Sequence, residues 1–89
     1  MSSKQEIKDA FTAELKNTPE YQIVLQIKAF ILNEIAAPHI QKEVVYNFET
    51  PLSKEQLNNI KLCMIVEFGF STDNMSMYSI IIDMAKFLE

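Results

Sequence analysis

Between Pro19 and Ala37 almost every position is apolar apart from one narrow stripe. At about 100° per residue, Gln22, Gln26, Ala29 and Asn33 fall on one line flanked by Lys28 and Glu34. Tyr21, Ile23, Val24, Leu25, Ile27, Phe30, Ile31, Leu32 and Ile35 cover the rest of the surface. A helix that is apolar on most sides is buried, so the pattern predicts a central helix over 19–37 that the other segments wrap. Thr18-Pro19-Glu20 opens it: Thr18 can accept a free backbone N–H, Pro19 sits where a missing donor costs nothing, and Glu20 faces the positive helix end. Ala37-Pro38 closes it, because the residue before a proline is pushed out of helical geometry. At about 1.5 Å per residue such a helix is about 27 Å long, enough to cross the roughly 24 Å expected of a compact chain of this size.

The remaining segments divide around this element. Ser3 with Glu6 reads as a capping box opening a helix over 4–16 with a narrow apolar face of Ile7, Ala10, Phe11 and Leu15. Phe11→Ala is its most damaging change if that ring is buried, at about 3 kcal/mol. Residues 39–50 carry both periods. Ile40, Val44, Tyr46 and Phe48 alternate with polar residues, while Ile40, Val44, Val45 and Phe48 also fit helical spacing. The run Val44-Val45-Tyr46 favours a strand at about 41–48. A lone strand needs a partner, and the candidates are Phe68-Gly69-Phe70, Tyr78 to Ile82, or the same strand in a second copy.

Ser53 and Gln56 form a second capping box with Leu52 and Leu57 as a hydrophobic staple, predicting a helix over 54–68. Leu62 to Val66 surround its axis, so it is expected to run from surface into core. Gly69, the only glycine, suits the left-handed position after the last turn, with Phe70 reaching back to Ile65. From Met75 to Glu89, Ser76, Ser79, Asp83 and Lys86 make one polar line at helical spacing and predict a second buried helix. The competitor is a strand over 77–83, which would make the preceding helix a right-handed crossover if it paired with 41–48. The fold expected is therefore mainly α: one domain over 1–89, a compact bundle of about four helices around the buried helix 19–37, and α+β if the short strand at 41–48 forms.

Composition changes this picture in two ways. Apolar residues make up 48% of only 89 positions, and a chain so short hides only about 60 to 65% of its unfolded surface. Surplus apolar surface is commonly covered by a copy of the same chain, so homo-oligomerisation is expected. The net charge is −4, and all eight basic residues are lysines. Without arginine there is no bidentate reader of phosphates or guanine edges, and no basic footprint for nucleic acid. The same absence beside abundant Lys, Ile, Asn and Glu suggests an AT-rich coding sequence, as in low-GC bacteria or their phages. One cysteine fits a reducing compartment. The N-terminus lacks the apolar stretch of a signal peptide. The longest apolar run, Leu62 to Val66, is far short of the about 18 residues of a membrane span. A cytoplasmic location without membrane attachment is the expectation.

Candidate chemistry is sparse. His39 is the only histidine and lies beside Pro38 in a turn, and Cys63 lies inside an apolar run where a thiol is inert. No His or Cys pair has zinc-ligand spacing. A single glycine excludes phosphate-cradling loops and nucleophile elbows. Glu6, Asp9, Glu67 and Asp83 are scattered and read as solvated faces. No enzyme, cofactor or metal is expected. Helix-turn-helix, EF-hand, carrier-protein and coiled-coil signatures are absent. Met75, Met77 and Met84, with Phe68 and Phe70, form a deformable apolar set of the kind that receives partners, and these five are the candidate partner-binding residues. Core filling is their alternative use. Gln22, Gln26 and Asn33 line either an interface or ligand cleft, or an ordinary solvent strip. The functional expectation is a small acidic interaction module, an adaptor, inhibitor or regulator, homo-oligomeric and binding a protein partner through an apolar face. The alternative is a small-ligand-binding or sequestering protein with a pocket between helices or subunits.

Overall fold

Each helix begins where a side-chain oxygen captures a backbone N–H that has no partner in its own first turn. The computed structural model describes residues 2–36 and 41–89; His39 lies outside them. Helix α1, Ser3–Lys16, is capped by Ser2, whose Oγ accepts from the Gln5 N–H at 3.3 Å, one residue earlier than the Ser3 box predicts. Helix α2, Pro19–Ile35, is capped by Thr18, whose Oγ1 accepts from the Tyr21 N–H at 3.3 Å. In α3, Lys54–Phe68, the capping box closes in both directions: the Gln56 N–H donates to Ser53 Oγ at 3.2 Å and the Ser53 N–H to Gln56 Oε1 at 2.9 Å.

Gly69 ends α3 at φ +84° and donates its N–H to the Ile65 carbonyl at 3.0 Å. No atom lies within 4 Å of where a Cβ would stand there. A side chain at Gly69 therefore meets open space but a left-handed backbone, which costs about 1 to 2 kcal/mol for an L-residue. Gly69→Val is expected to cost that amount or somewhat more, read as a lower urea midpoint at an unchanged slope.

The rest of the fold corrects the sequence-based expectation of about four helices. Among the described residues there are three α-helices and a two-stranded antiparallel sheet, β1 at Glu43–Asn47 and β2 at Ser79–Asp83, followed by a short 3-10 helix at Met84–Leu88. Residues 75–89 are thus not a buried helix. Three consecutive β-branched isoleucines, Ile80 to Ile82, suit a pleated surface better than a helical turn, and β1 supplies the partner that a helix would have left unused. Val44 pairs with Ile82 and Tyr46 with Ile80 on the face towards the helices. Because the strands are antiparallel, the crossover handedness that a parallel pair would impose on α3 does not arise.

One hydrophobic cluster joins these parts. Val24, Ile27, Ile60, Cys63, Met64, Ile80 and Ile82 are fully buried, with Leu15, Tyr21, Ile31 and Leu52 around them. Helix α2 buries Glu20, Tyr21, Val24, Ile27 and Ile31, one face, and leaves Leu32 59% and Ile35 46% exposed. It is not sheathed on all sides, as its composition suggests. Likewise α3 buries Ile60, Cys63 and Met64 but exposes Ile65, so it lies along the core instead of entering it. In α1 only Leu15 is buried, and Phe11 is 49% exposed. With principal extents of 46 × 29 × 19 Å the molecule is elongated, and α2 does not reach across its longest dimension.

Candidate functional site

The exposed side of α2 is the wall of an apolar cleft. Ile31, Leu32 and Ile35 form that wall, Phe68 at the end of α3 forms the floor, and Met84, Ala85, Phe87 and Leu88 of the 3-10 helix face them. The space between them measures about 690 Å³. Sheet pairing places the second wall: the Met84 N–H donates to the Lys42 carbonyl at 2.9 Å, one step beyond the Glu43–Asp83 pair. Asp83 then turns the chain, its Oδ1 accepting from the Ala85 N–H at 3.0 Å. Edge-to-face packing of Phe87 against Phe68, centroids 5.5 Å apart, and against Phe70 at 4.8 Å holds the 3-10 helix to the end of α3.

Among the described residues the polar ones on the cleft are Lys28, Gln41 and Lys42. Both charges are positive, although the chain as a whole is acidic. Lys28 Nζ lies 3.0 Å from Glu67 Oε2, and the Tyr21 hydroxyl donates to Glu67 Oε1. That hydrogen bond, followed by burial, pushes the Tyr21 phenol up to about 12. The same bond, followed by the Lys28 contact, holds the Glu67 carboxyl below its ordinary 4.5. Linkage fixes the signs. The contribution of Glu67 is full above pH 4.5 and is lost as pH falls through its lowered folded value. That of Tyr21 is full below 10.0 and is lost as pH rises towards about 12. Tyr21→Phe is expected to flatten both limbs of a melting-temperature profile against pH, with the loss greatest between them.

Of the five residues singled out from the sequence, two line the cleft: Phe68 and Met84. Phe70 stands behind them, in contact with Phe68 and Phe87. Met75 and Met77 do not join. Met75 packs against the core beside Ile80, and Met77 lies at the far end of β2, its carbonyl accepting from the Leu52 N–H at 2.9 Å. An antiparallel strand advances about 3.4 Å per residue, so the methionines at its two ends cannot share one surface patch. Leu32, Ile35, Phe87 and Leu88 went unassigned in the sequence. For Leu32 and Ile35 the signal is the excess of apolar positions on α2, which reads as burial; Phe87 and Leu88 belong to the last segment, whose apolar positions read as a buried helix.

Gln22 and Gln26 border a smaller recess of about 210 Å³ with Pro19, Ile23, Tyr46, Phe48 and Leu52. The Tyr46 hydroxyl donates to Gln26 Oε1 at 3.3 Å. Asn33 is exposed and lies away from it. Cys63 is fully buried and its thiol is directed at the Leu15 carbonyl, 3.8 Å away; burial pushes its pKa up. Glu20, also buried, accepts from Asn59 Nδ2 at 2.7 Å and ties α2 to α3. Among the described residues no helix is long and apolar enough to cross a membrane. Set against known protein families, curated proteins and solved structures, the chain shows no significant match to any of them, so the candidate site stands on its own geometry.

Proposed function

We propose that this chain is a small non-catalytic interaction module whose cleft between α2 and the 3-10 helix receives an apolar segment of a protein partner. The observation that carries the reading is the cleft itself, an open space of about 690 Å³ with an almost wholly apolar lining and two lysines at its margin. Grooves of this kind accept the apolar face of an amphipathic helix, and Lys42 favours a segment with an acidic residue beside that face, the Lys28 charge being already paired with Glu67. Occupying the segment blocks its other contacts, which is how an adaptor or inhibitor of this size acts. Self-association belongs to the same reading, supported by the apolar fraction of 48% and by Ile7, Val45 and Ile65 standing exposed outside the cleft.

The test is affinity capture from the source organism with immobilised wild-type and Leu32→Asp chains, the captured proteins being identified by mass. The expected result is a stoichiometric partner held by the first and lost by the second, whose fold is verified by circular dichroism. Equal recovery on both removes the cleft from the reading. A second use of the cleft follows from its volume, which lies within the roughly 300 to 1,000 Å³ of small-molecule sites. An apolar acid of fatty-acid size would place its tail against Ile31 and Phe68 and its carboxylate near Lys42. A melting temperature that rises with the concentration of such an acid, with no protein partner captured, would favour that use.

A further inference from the structure

The two edges of the sheet are treated differently by the rest of the chain. The Phe48 N–H donates to the Tyr78 carbonyl and the Met84 N–H to the Lys42 carbonyl, both at 2.9 Å. In the antiparallel register these bonds fix the parity: Val44 and Tyr46 turn their backbone groups towards β2, and Glu43, Val45 and Asn47 turn theirs away from it. On β2 the residues facing away are Ser79, Ile81 and Asp83. That edge is covered, since the Ile81 N–H donates to the Asn74 carbonyl at 2.9 Å and the Ser79 carbonyl accepts from the Ser76 N–H at 2.8 Å. On β1, the outward backbone groups of Glu43, Val45 and Asn47 have no partner among the described residues, and all three side chains are exposed. No proline or bulge interrupts the strand, so two of the devices that blunt such an edge are missing, and its one charge, Glu43, stands at the end of the strand.

We propose that the free edge of β1 pairs antiparallel with the same edge of a second copy, about a two-fold axis at Val45, joining two two-stranded sheets into one of four strands. This rests on the self-association in the preceding reading and assigns its surface. The register centred on Val45 is the only one that engages all three outward residues, Val45 with Val45 of the second copy and Glu43 with Asn47 twice, each pair exchanging two backbone bonds. It sets a carboxylate against an amide, whereas the register centred on Glu43 opposes like charges. It also covers Val45, 48% exposed in the single chain. An isolated two-stranded sheet is marginal, and a four-stranded one is not.

The test is the mass of the full chain in solution by light scattering, with wild type expected at twice 10.3 kDa. Val45→Pro removes an N–H that points away from β2, so the internal ladder keeps every bond, and the variant is expected to be monomeric. Val45→Lys, which places a charge on the edge without altering the backbone, is expected to behave alike. Val45→Cys is expected to form a disulfide-linked dimer on mild oxidation, because paired Cα atoms about 5.5 Å apart lie within bridging range. Asn47→Cys is expected not to, its two copies standing about 14 Å apart in that register. A dimer that survives Val45→Pro and Val45→Lys, or crosslinks equally at Asn47→Cys, overturns the surface while leaving self-association in place. A wild-type chain that stays monomeric at millimolar concentration overturns both. In either case the cleft is tested separately by Leu32→Asp.

Discussion

Ile27→Ala is expected to cost about 2 to 5 kcal/mol, the range for truncating a large aliphatic side chain in a packed interior. Ile27 is fully buried at the centre of α2, in one cluster with Ile60, Met64 and Ile82, so it is held between both long helices and the sheet. A chain of this length has about 4 to 13 kcal/mol of stability in all, so this one change removes a large share and can unfold the domain at ambient temperature. Urea titration should show a lower midpoint at constant slope. Phe11→Ala is the contrasting measurement. Its ring is half exposed on a helix with a single buried residue, so about 1 kcal/mol or less is expected. If Phe11→Ala proves the costlier of the two, the packing described above is wrong at its centre.

Leu32→Asp is expected to weaken partner binding by at least about 30-fold, the effect of losing an interface residue worth about 2 kcal/mol. The wall of the cleft at this position is already 59% exposed, so a carboxylate there is hydrated in the free protein and stability should change little. On binding, that carboxylate must either lose its water against an apolar surface or keep the partner out. Met77→Asp is the control. It is also exposed, but it lies beyond the opposite end of the sheet from Met84, and its binding is expected to match wild type. Isothermal titration with the captured partner separates these outcomes. Equal losses at both positions would indicate a binding surface other than the cleft.

Much of the local structure was legible beforehand because its causes are local. Thr18 and Pro19 opening α2, the reciprocal Ser53–Gln56 cap and Gly69 after α3 each follow from a few neighbouring residues and a backbone requirement they meet. The strand at 43–47 was legible for the same reason, from its β-branched and aromatic side chains. The last segment was not. Its polar residues satisfy helical spacing and its isoleucines satisfy strand alternation, and the choice was made by a partner 36 residues away, where Val45 meets Ile81. The candidate site was half legible. Deformable apolar side chains mark out Phe68 and Met84, but the placing of Met77 and Met84 at opposite ends of β2 is a property of the sheet, invisible in a list of residue types.

The sequence by itself determined where α2 and α3 start, where α3 stops, and that β1 had a strong strand preference, since capping, left-handed geometry and β-branching act over a few residues. Only the tertiary structure decided how much of α2 is covered. An apolar side chain prefers burial wherever it stands, but 89 residues in a two-stranded, three-helix arrangement supply neighbours for one face of that helix and not for its whole circumference. Ile27 and Leu32 therefore carry the same local preference and meet opposite fates, one enclosed in the core and the other lining an open cleft.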